Sequence, residues 1–505
     1  MSEKSFRFAR NLSWSVLGQL GAAGLNFLIF PFVIHRLGVQ TYGLYILMHS
    51  VSSYLQLCSL GSGSTTIKYA ASLTASGSRR ALRRLMAYSL AAHGLGVLAG
   101  SLLLIAGVRF VAVHILHVPP ELLDMAVFVL VCAAFGALFL SLTQFSLSVL
   151  NGLQRFESQS LITFLQNTLM PVGMAALLIA GHGLKAIACL YVLVNLSLCA
   201  LAAGLMRRFI RLAGPDGPDD LPFKTFAAWS LGAWLGPFAW IISNQVDKVF
   251  LAHMMSLTAV TLYAVPSSLL QRFQALPIAV SSVVAPMMSE LHGPTAGEEM
   301  RRMYLKAMRF LLWITLPLLV LLFVFMPQFL GLWLHGDFAN RSVWPSRLLV
   351  LSQLFYLLVV MPNAAVFSRD KPSHSSAFGW GQALTCLAAW RLLAPRYGLF
   401  GIAAGSLAGQ ALPALIYLVH VHRMIHMGTQ RFIAGIWAPA ASAALLLATL
   451  FPLHEHATSW PRLALFATAS YAIFYGSTWF LMDREDRELL RRFLRSPLAQ
   501  IFRFR

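Results

Sequence analysis

The chain carries one apolar block after another, each long enough to cross a bilayer, joined by short charged links; 85–113, 125–150, 186–206 and 311–333 are examples. A hydrocarbon core about 30 Å thick takes roughly 20 apolar residues at the helical rise. Within it each backbone N–H and C=O must bond inside its own segment, so such blocks fold as helices. Composition leaves little alternative. Of the 505 residues 58% are hydrophobic and 11% charged, against roughly a quarter charged in ordinary globular domains. The first block, 12–34, is too long for a cleaved signal segment and reads as a permanent helix. The fold class is therefore an all-α polytopic membrane protein.

Hydropathy predicts fourteen spans: 12–34, 43–66, 85–113, 122–148, 159–180, 184–206, 226–252, 257–288, 307–334, 345–368, 375–394, 398–421, 432–453 and 461–482. The net charge of +20 suggests nucleic acid until its distribution is read. No basic run is interleaved with stacking aromatics, and no zinc-finger or basic-zipper spacing appears. Lys and Arg instead concentrate in alternate links. With the N-terminus inside, 28 of the 38 fall in cytoplasmic links and the tail, and 7, including Arg347, in external ones. That bias orients the helices of a cytoplasmic-membrane protein and puts both its ends in the cytoplasm. After 482, Leu489, Leu490, Phe493 and Leu494 share a helical face opposite Arg487, Arg491, Arg492 and Arg495, which predicts an amphipathic helix on anionic lipid.

Several chemistries are excluded. Cys58, Cys132, Cys189, Cys199 and Cys386 all sit in apolar blocks without a C-x-x-C pair, and read as small hydrophobes. His454 and His456 flank Glu455, but in an exposed polar loop; no metal site is expected. No phosphate loop is present, and no link between helices exceeds about 20 residues, too few for a soluble catalytic domain. Neither catalytic residues nor a cofactor are predicted, so the chain does not read as an enzyme. Gly61-Ser62-Gly63-Ser64 reads as a helix end. Gly401, Gly405 and Gly409 form a small-residue stripe for close helix packing.

Parallels between the halves suggest an internal repeat. Trp14-Ser15 opens helix one and Trp229-Ser230 helix seven; Tyr42-Gly43 opens helix two and Tyr263-Ala264 helix eight. Six-helix halves plus an appended pair follow. The expected divisions are 1–215, 216–425, 426–482 and a cytoplasmic tail over 483–505.

Two intramembrane features stand out. Arg272 lies midway along helix eight, between Pro266 and Pro277, among Ser267, Ser268, Gln271 and Gln274; an arginine at that depth needs water or a partner. A structural ion pair holding a kinked helix fits it as well. Asp247 is the one acidic residue clearly within a span. Adjacent on a helix, Asp247 and Lys248 are expected to point in different directions. Lys248 is placed to snorkel to the interface; Asp247 is placed to pair with Arg272 or to bind a coupling proton. Polar stripes complete the picture: Asn11, Ser15, Gln19 and Asn26 on helix one, and His49, Ser52, Ser53 and Gln56 on helix two. Gln144, Gln166 and Asn167 add to the first half, with Asn244 and Gln271 in the second. Such stripes line a cavity or glue helices together.

The chain resembles the oligosaccharide flippases of bacterial polysaccharide synthesis, in the multidrug/oligosaccharidyl-lipid/polysaccharide exporter superfamily. The resemblance rests on Leu37-Gly38 before Tyr42-Gly43-Leu44, Leu60-Gly61, Asn151-Gly152-Leu153-Gln154-Arg155-Phe156, Asp247 with Leu251, Tyr263, Pro286 to Glu290, and Gly398-Leu399-Phe400-Gly401-Ile402-Ala403-Ala404. It spans nearly the whole chain. It differs from the related lipid II flippases, which resemble one another in an arginine-bearing first helix; block 12–34 here is uncharged. The resemblance implies two lobes, helices 1–6 and 7–12, with helices 13 and 14 accessory, moving polyprenyl-pyrophosphate-linked O-antigen or exopolysaccharide repeat units by alternating access. It implies pyrophosphate contacts from Arg272 and Lys248, with Gln19, Asn26, His49, Gln56, Gln144, Gln166, Asn244 and Gln271 lining the sugar path. Its expected partners are the lipid-linked oligosaccharide, the bilayer, and the polymerase and chain-length machinery. A drug extruder favours an acidic, aromatic cavity, and a membrane glycosyltransferase or polymerase a large external loop; neither pattern is present.

Overall fold

Proline, glycine and long apolar runs decide where the helices of this protein break. The computed structural model describes residues 24–25, 27–76, 78–210, 222–291, 296–334, 336–369, 371–481 and 487. Gln19, Asn26 and the amphipathic tail lie outside the described residues. Every regular element described is helical. Nine stretches among the described residues are long and apolar enough to cross a bilayer, so the chain is a multi-pass membrane protein. They do not map one to one onto the fourteen expected spans, for reasons visible at individual breaks. The chain divides into two compact units, one ending at Ala264 and the other starting at Val265.

The first unit begins with α1 (Phe27–Leu37) and α2 (Val39–Gln56), which ends in a tight turn over Leu57–Ser59. Leu60 and Gly61 then take left-handed φ values of 51° and 69°, and α3 (Ser62–Ser76) starts afresh. The expected span 43–66 is thus two helices. Gly61 is obligatory there: a Cβ would stand 2.5 Å from Ser230 O and 2.6 Å from Trp234 N, on α9 (Phe223–Met254). Trp234 Nε1 donates to Leu57 O at 2.8 Å, satisfying one of the carbonyls that a helix end leaves open. Next come α4 (Arg79–Ala91), a π turn over Ala92–Gly96 and α5 (Val97–Ala106). The long α6 (Leu123–Gly152) packs along α8 (Leu184–Ile210) and against α2 and α3, while α7 (Phe156–Ile179) packs on α8. The contact of α6 with α8 is close because Gly136 offers no Cβ to collide with the Tyr191 ring. α9 packs on α2 and α3.

The boundary between the units falls within α10 (Leu257–Phe273), and α11 (Ala275–Ser289) follows. Then come α12 (Ala296–Leu334), α13 (Gly336–Phe367), α14 (Pro372–Met424), α15 (Thr429–Leu450) and α16 (Trp460–Leu481). α14 is two legs folded back at Gly398, whose φ of 55° and ψ of −130° are not helical. Expected spans 375–394 and 398–421 are these legs. The glycine stripe is what lets them close. A Cβ on Gly401 would stand 2.6 Å from the Leu393 carbonyl carbon, one on Gly405 2.6 Å from Trp390 Cδ1, and one on Gly409 would strike Cys386 Sγ. The pairs run in opposite directions along the two legs, an αα-hairpin in steric contact at every turn.

Proline placement explains two contacts of α12. A proline has no N–H, so the carbonyl four residues earlier loses its helical partner. Pro317 frees the carbonyl of Trp313 and Pro327 that of Phe323. Tyr475 OH donates to Trp313 O at 3.3 Å, and Arg347 Nε donates to Phe323 O at 3.0 Å. Each freed carbonyl is met by a side chain from a neighbouring helix.

Candidate functional site

In the first unit α9 carries the charged pair. Asp247 is 2% exposed and Lys248 7%. They do not diverge as adjacent helical residues were expected to. Lys248 Nζ turns back to Asp247 Oδ1 at 3.0 Å and also donates to the carbonyl of Asn244. The same Oδ1 accepts from the backbone N–H of Lys248 at 2.9 Å. Burial explains the correction: with no water to reach, the flexible lysine finds its neighbour's carboxylate more favourable than any extended conformation. Lys248 is therefore not snorkelling. The partner of Asp247 is its own neighbour.

α2 faces this part of α9. Tyr54 OH donates to Gln245 O at 2.6 Å, and Ser50 Oγ to Gln245 Oε1 at 3.3 Å. Neither Tyr54 nor Gln245 was singled out from sequence, because a tyrosine and an amide in an apolar helix give no periodic signal. Of the predicted polar stripe, Gln56 Nε2 donates to Ala137 O at 2.9 Å and Ser52 Oγ to Ala133 O at 3.2 Å, both on α6. These two residues glue helices. His49 stands edge-on to Tyr45 and Tyr191, with ring centroids 4.7 and 5.0 Å away. Its Nε2 is buried without a hydrogen bond to any described residue. Gln144 is exposed, and Gln166 and Asn244 are half-buried; Asn244 Nδ2 donates to Trp240 O at 3.0 Å within its own helix.

In the second unit Arg272 marks a break. The predicted span 257–288 is two helices that part at Gln274. Pro277 is the cause: it cannot donate to Phe273 O, and its ring crowds that carbonyl. Arg272 is thus in the last turn of α10, where a cation complements the carbonyl end of the helix dipole. Its side chain is exposed, and that of Gln271 half-buried. Gln274 Nε2 donates to Gln353 Oε1 on α13 at 3.0 Å, which ties the break to the helix beside it. Arg347, counted from sequence among external-link residues, is buried within α13 at 7% exposure. Among the described residues no group of three or more His, Cys, Asp or Glu is placed to hold a metal ion.

These helices define an all-helical polytopic membrane fold. A solved structure of the lipid II flippase MurJ, in an inward closed conformation, matches with a TM-score of 0.68 at 14% identity, over 91% of this chain and 97% of that one. An inward-facing multidrug resistance MATE family transporter of the MOP superfamily matches with a TM-score of 0.67 at 14% identity, over 81% and 98%.

The family model described as polysaccharide biosynthesis protein matches residues 8–292, more than half of the chain, and the chain belongs to that family. The membrane protein EpsK of Bacillus subtilis (strain 168) is 24% identical over 517 residues, 98% of this chain and 99% of that one. A candidate O-antigen transporter of Shigella flexneri is 21% identical over 189 residues, 36% of this chain and 43% of that protein, less than half of that relative's length.

Proposed function

We propose that this protein is a flippase of the bacterial cytoplasmic membrane, with both termini in the cytoplasm. It moves polyprenyl-pyrophosphate-linked oligosaccharide repeat units across the bilayer by alternating access, for O-antigen or exopolysaccharide synthesis. Membership of the polysaccharide biosynthesis family and the likeness to the relatives above support the reading. The observation that carries it is Arg272, an exposed guanidinium at a proline-made break about midway between Leu257 and Ser289. A pyrophosphate cannot cross hydrocarbon unaided, because desolvating its charge costs too much. A guanidinium matches phosphate oxygens two at a time, and at a helix break it sits where backbone polar groups are already open. Lys248 takes a secondary part, since its ammonium is already held by Asp247. The lobes 1–215 and 216–425, the accessory pair 426–482 and the basic tail 483–505 are the working division. The tail serves chiefly as an anchor on anionic lipid, with docking of polymerase or chain-length machinery as its secondary role.

Complementation tests the reading. The gene is deleted from its host and replaced by wild type, Arg272→Ala, Arg272→Lys or Asp247→Ala at matched membrane levels, and surface polysaccharide and accumulated lipid-linked repeat units are scored. The expected result is lost polymer on deletion, restored by wild type and not by Arg272→Ala. If deletion leaves surface polysaccharide intact and sensitises cells to cationic drugs, the flippase reading falls and an ion-coupled extruder replaces it.

A further inference from the structure

His93 is a titratable side chain in the middle of a membrane span. The span Arg80–Ala106 has 27 residues, about 40 Å at ~1.5 Å per residue, and His93 stands 13 residues from either end. It is 3% exposed and sits in the π turn Ala92–Gly96. Two general expectations meet here. Ionisable residues inside membranes mark ion and proton pathways, and single π turns within α-helices concentrate at functional positions.

The hydrogen bonds assign the ring. Nδ1 lies 3.0 Å from Ser89 O, an acceptor only, so Nδ1 carries the proton. Ser62 Oγ lies 2.8 Å from the same nitrogen and directs its own hydrogen to Ser59 O at 2.8 Å, which leaves its lone pairs for His93. The backbone carbonyl of His93 accepts from Ser141 Oγ at 3.0 Å, and Thr66 Oγ1 lies 2.6 Å from Ser89 Oγ. The ring is therefore held firmly through Nδ1, and Nε2 keeps a basic lone pair with no hydrogen bond to a described residue. Gly63 leaves room at that nitrogen: a Cβ there would stand 3.9 Å from Nε2 and 3.2 Å from Ser148 Oγ.

Among the described residues the surroundings are polar and uncharged. α3 presents Ser62, Gly63 and Thr66, and its one charged residue, Lys68, is over the Trp229 ring, 3.1 Å from the centroid. α6 presents Ser141 and Phe145, the latter with its ring centroid 6.1 Å away. The turn before α3 brings Ser59, and Cys58, whose carbonyl abuts Gly96. The arginines of α4 stand at its start, more than two turns away. Asp247, the acid that sequence nominates for coupling, is held by Lys248.

We propose that His93 is the proton-binding residue of this transporter: one proton adds at Nε2 to give the imidazolium and leaves from the same nitrogen on the other side of the cycle, coupling cargo movement to the proton gradient. The proposal rests on the flippase reading above. No bond other than N–H forms or breaks, and the co-reactant is the aqueous proton. Charging the ring adds a donor at Nε2, on the side of the ring that faces Gly63 of α3.

The test uses full-length protein in liposomes with lipid-linked oligosaccharide extracted from the deletion host, and reads arrival of sugar in the far leaflet with an impermeant oxidant. A pH gradient of one unit biases one bound proton about tenfold. Wild type is expected to flip several-fold faster under the favourable gradient than without it. His93→Asn, whose amide N–H reproduces the bond from Nδ1 to Ser89 O, is expected to flip at one rate whatever the gradient. Gly63→Ala, which sets a methyl 3.9 Å from Nε2 and 3.2 Å from Ser148 Oγ, is expected to weaken the gradient response at least threefold. A wild-type rate indifferent to the gradient overturns the proposal, as does a gradient response retained in His93→Asn or unchanged in Gly63→Ala. Wild type that moves no oligosaccharide under any condition overturns the flippase reading instead.

Discussion

Arg347 Nε donates, at 3.0 Å, to the carbonyl of Phe323 that Pro327 leaves without a helical partner. Arg347 Nη2 adds a bond to Val324 O at 3.3 Å, and the guanidinium carbon lies 5.2 Å from the Trp344 ring centroid. A proline inside α12, two turns from its end, and an arginine inside α13 would each be costly in a bilayer. Together each supplies what the other lacks.

Separating them has a defined cost. Arg347→Met leaves a buried carbonyl unsatisfied, worth about 1–3 kcal/mol, and is expected to lower the apparent Tm of the purified protein. Pro327→Ala, which restores the backbone N–H, is expected to recover part of the loss in the double variant. Additive effects in a double-mutant cycle would refute the pairing.

Asp247 and Lys248 are expected to behave as a unit. Lys248→Met strands a buried carboxylate, and removing one partner of a buried pair typically costs about 3–5 kcal/mol. The double variant Asp247→Asn with Lys248→Met carries no charge and is expected to be recovered from membranes at higher levels than Lys248→Met alone. Equal recovery of the two is the outcome that sinks this account.

The hairpin of α14 predicts a compensating pair. Gly409→Ala drives a methyl into Cys386 Sγ, and overpacking of this kind costs about 1–3 kcal/mol. Cys386→Ala removes the sulfur and is expected to restore much of the expression lost in Gly409→Ala. The backbone of Cys386, 3.1 Å from that methyl at its nitrogen, keeps the rescue partial.

Glu298 gives a pH dependence. It lies in the first turn of α12, a 39-residue helix whose length, about 58 Å at ~1.5 Å per residue, carries its charged start beyond the hydrocarbon. Hydrogen bonds from Arg431, then from Arg301 at 2.9 and 3.0 Å, hold its carboxyl down from 4.5 to about 2. A depressed carboxyl stabilises the fold above its ordinary value, and that contribution disappears as pH falls through the folded one. The Tm difference between wild type and Glu298→Gln is therefore expected to be constant above pH 4.5 and to close towards pH 2. Because the group is partly exposed, 0.5 M salt is expected to shrink the difference. A gap that widens on acidification would contradict the assignment.

Apolar runs and alternating basic links were enough, by themselves, to determine an all-helical membrane protein, because a continuous apolar run of about 20 residues satisfies its own backbone in hydrocarbon only as a helix, whereas barrel strands are shorter and alternate. The order of short motifs was enough to identify the kind of transporter it resembles. The Gly401, Gly405 and Gly409 spacing announced close packing, since a four-residue period puts small residues on one helix face whatever lies opposite. The particular breaks and partners were not legible. Hydropathy averages over a window, so it ran through the turn at Leu60 and Gly61 and the parting at Gln274, where one or two backbone angles decide. Adjacent helical positions were expected to point Asp247 and Lys248 apart, with Lys248 close enough to the helix end to snorkel, yet burial bent its long side chain back onto Asp247. Arg347 was placed in an external link because nothing local says that Pro327, twenty residues earlier and on another helix, needs its guanidinium. His93 looked like one of fifteen scattered histidines until Ser62, Ser89 and Ser141 came together around it. Local sequence carries the solvent a segment needs. Which polar groups satisfy one another is settled only when distant segments pack, because that is when each loses its water.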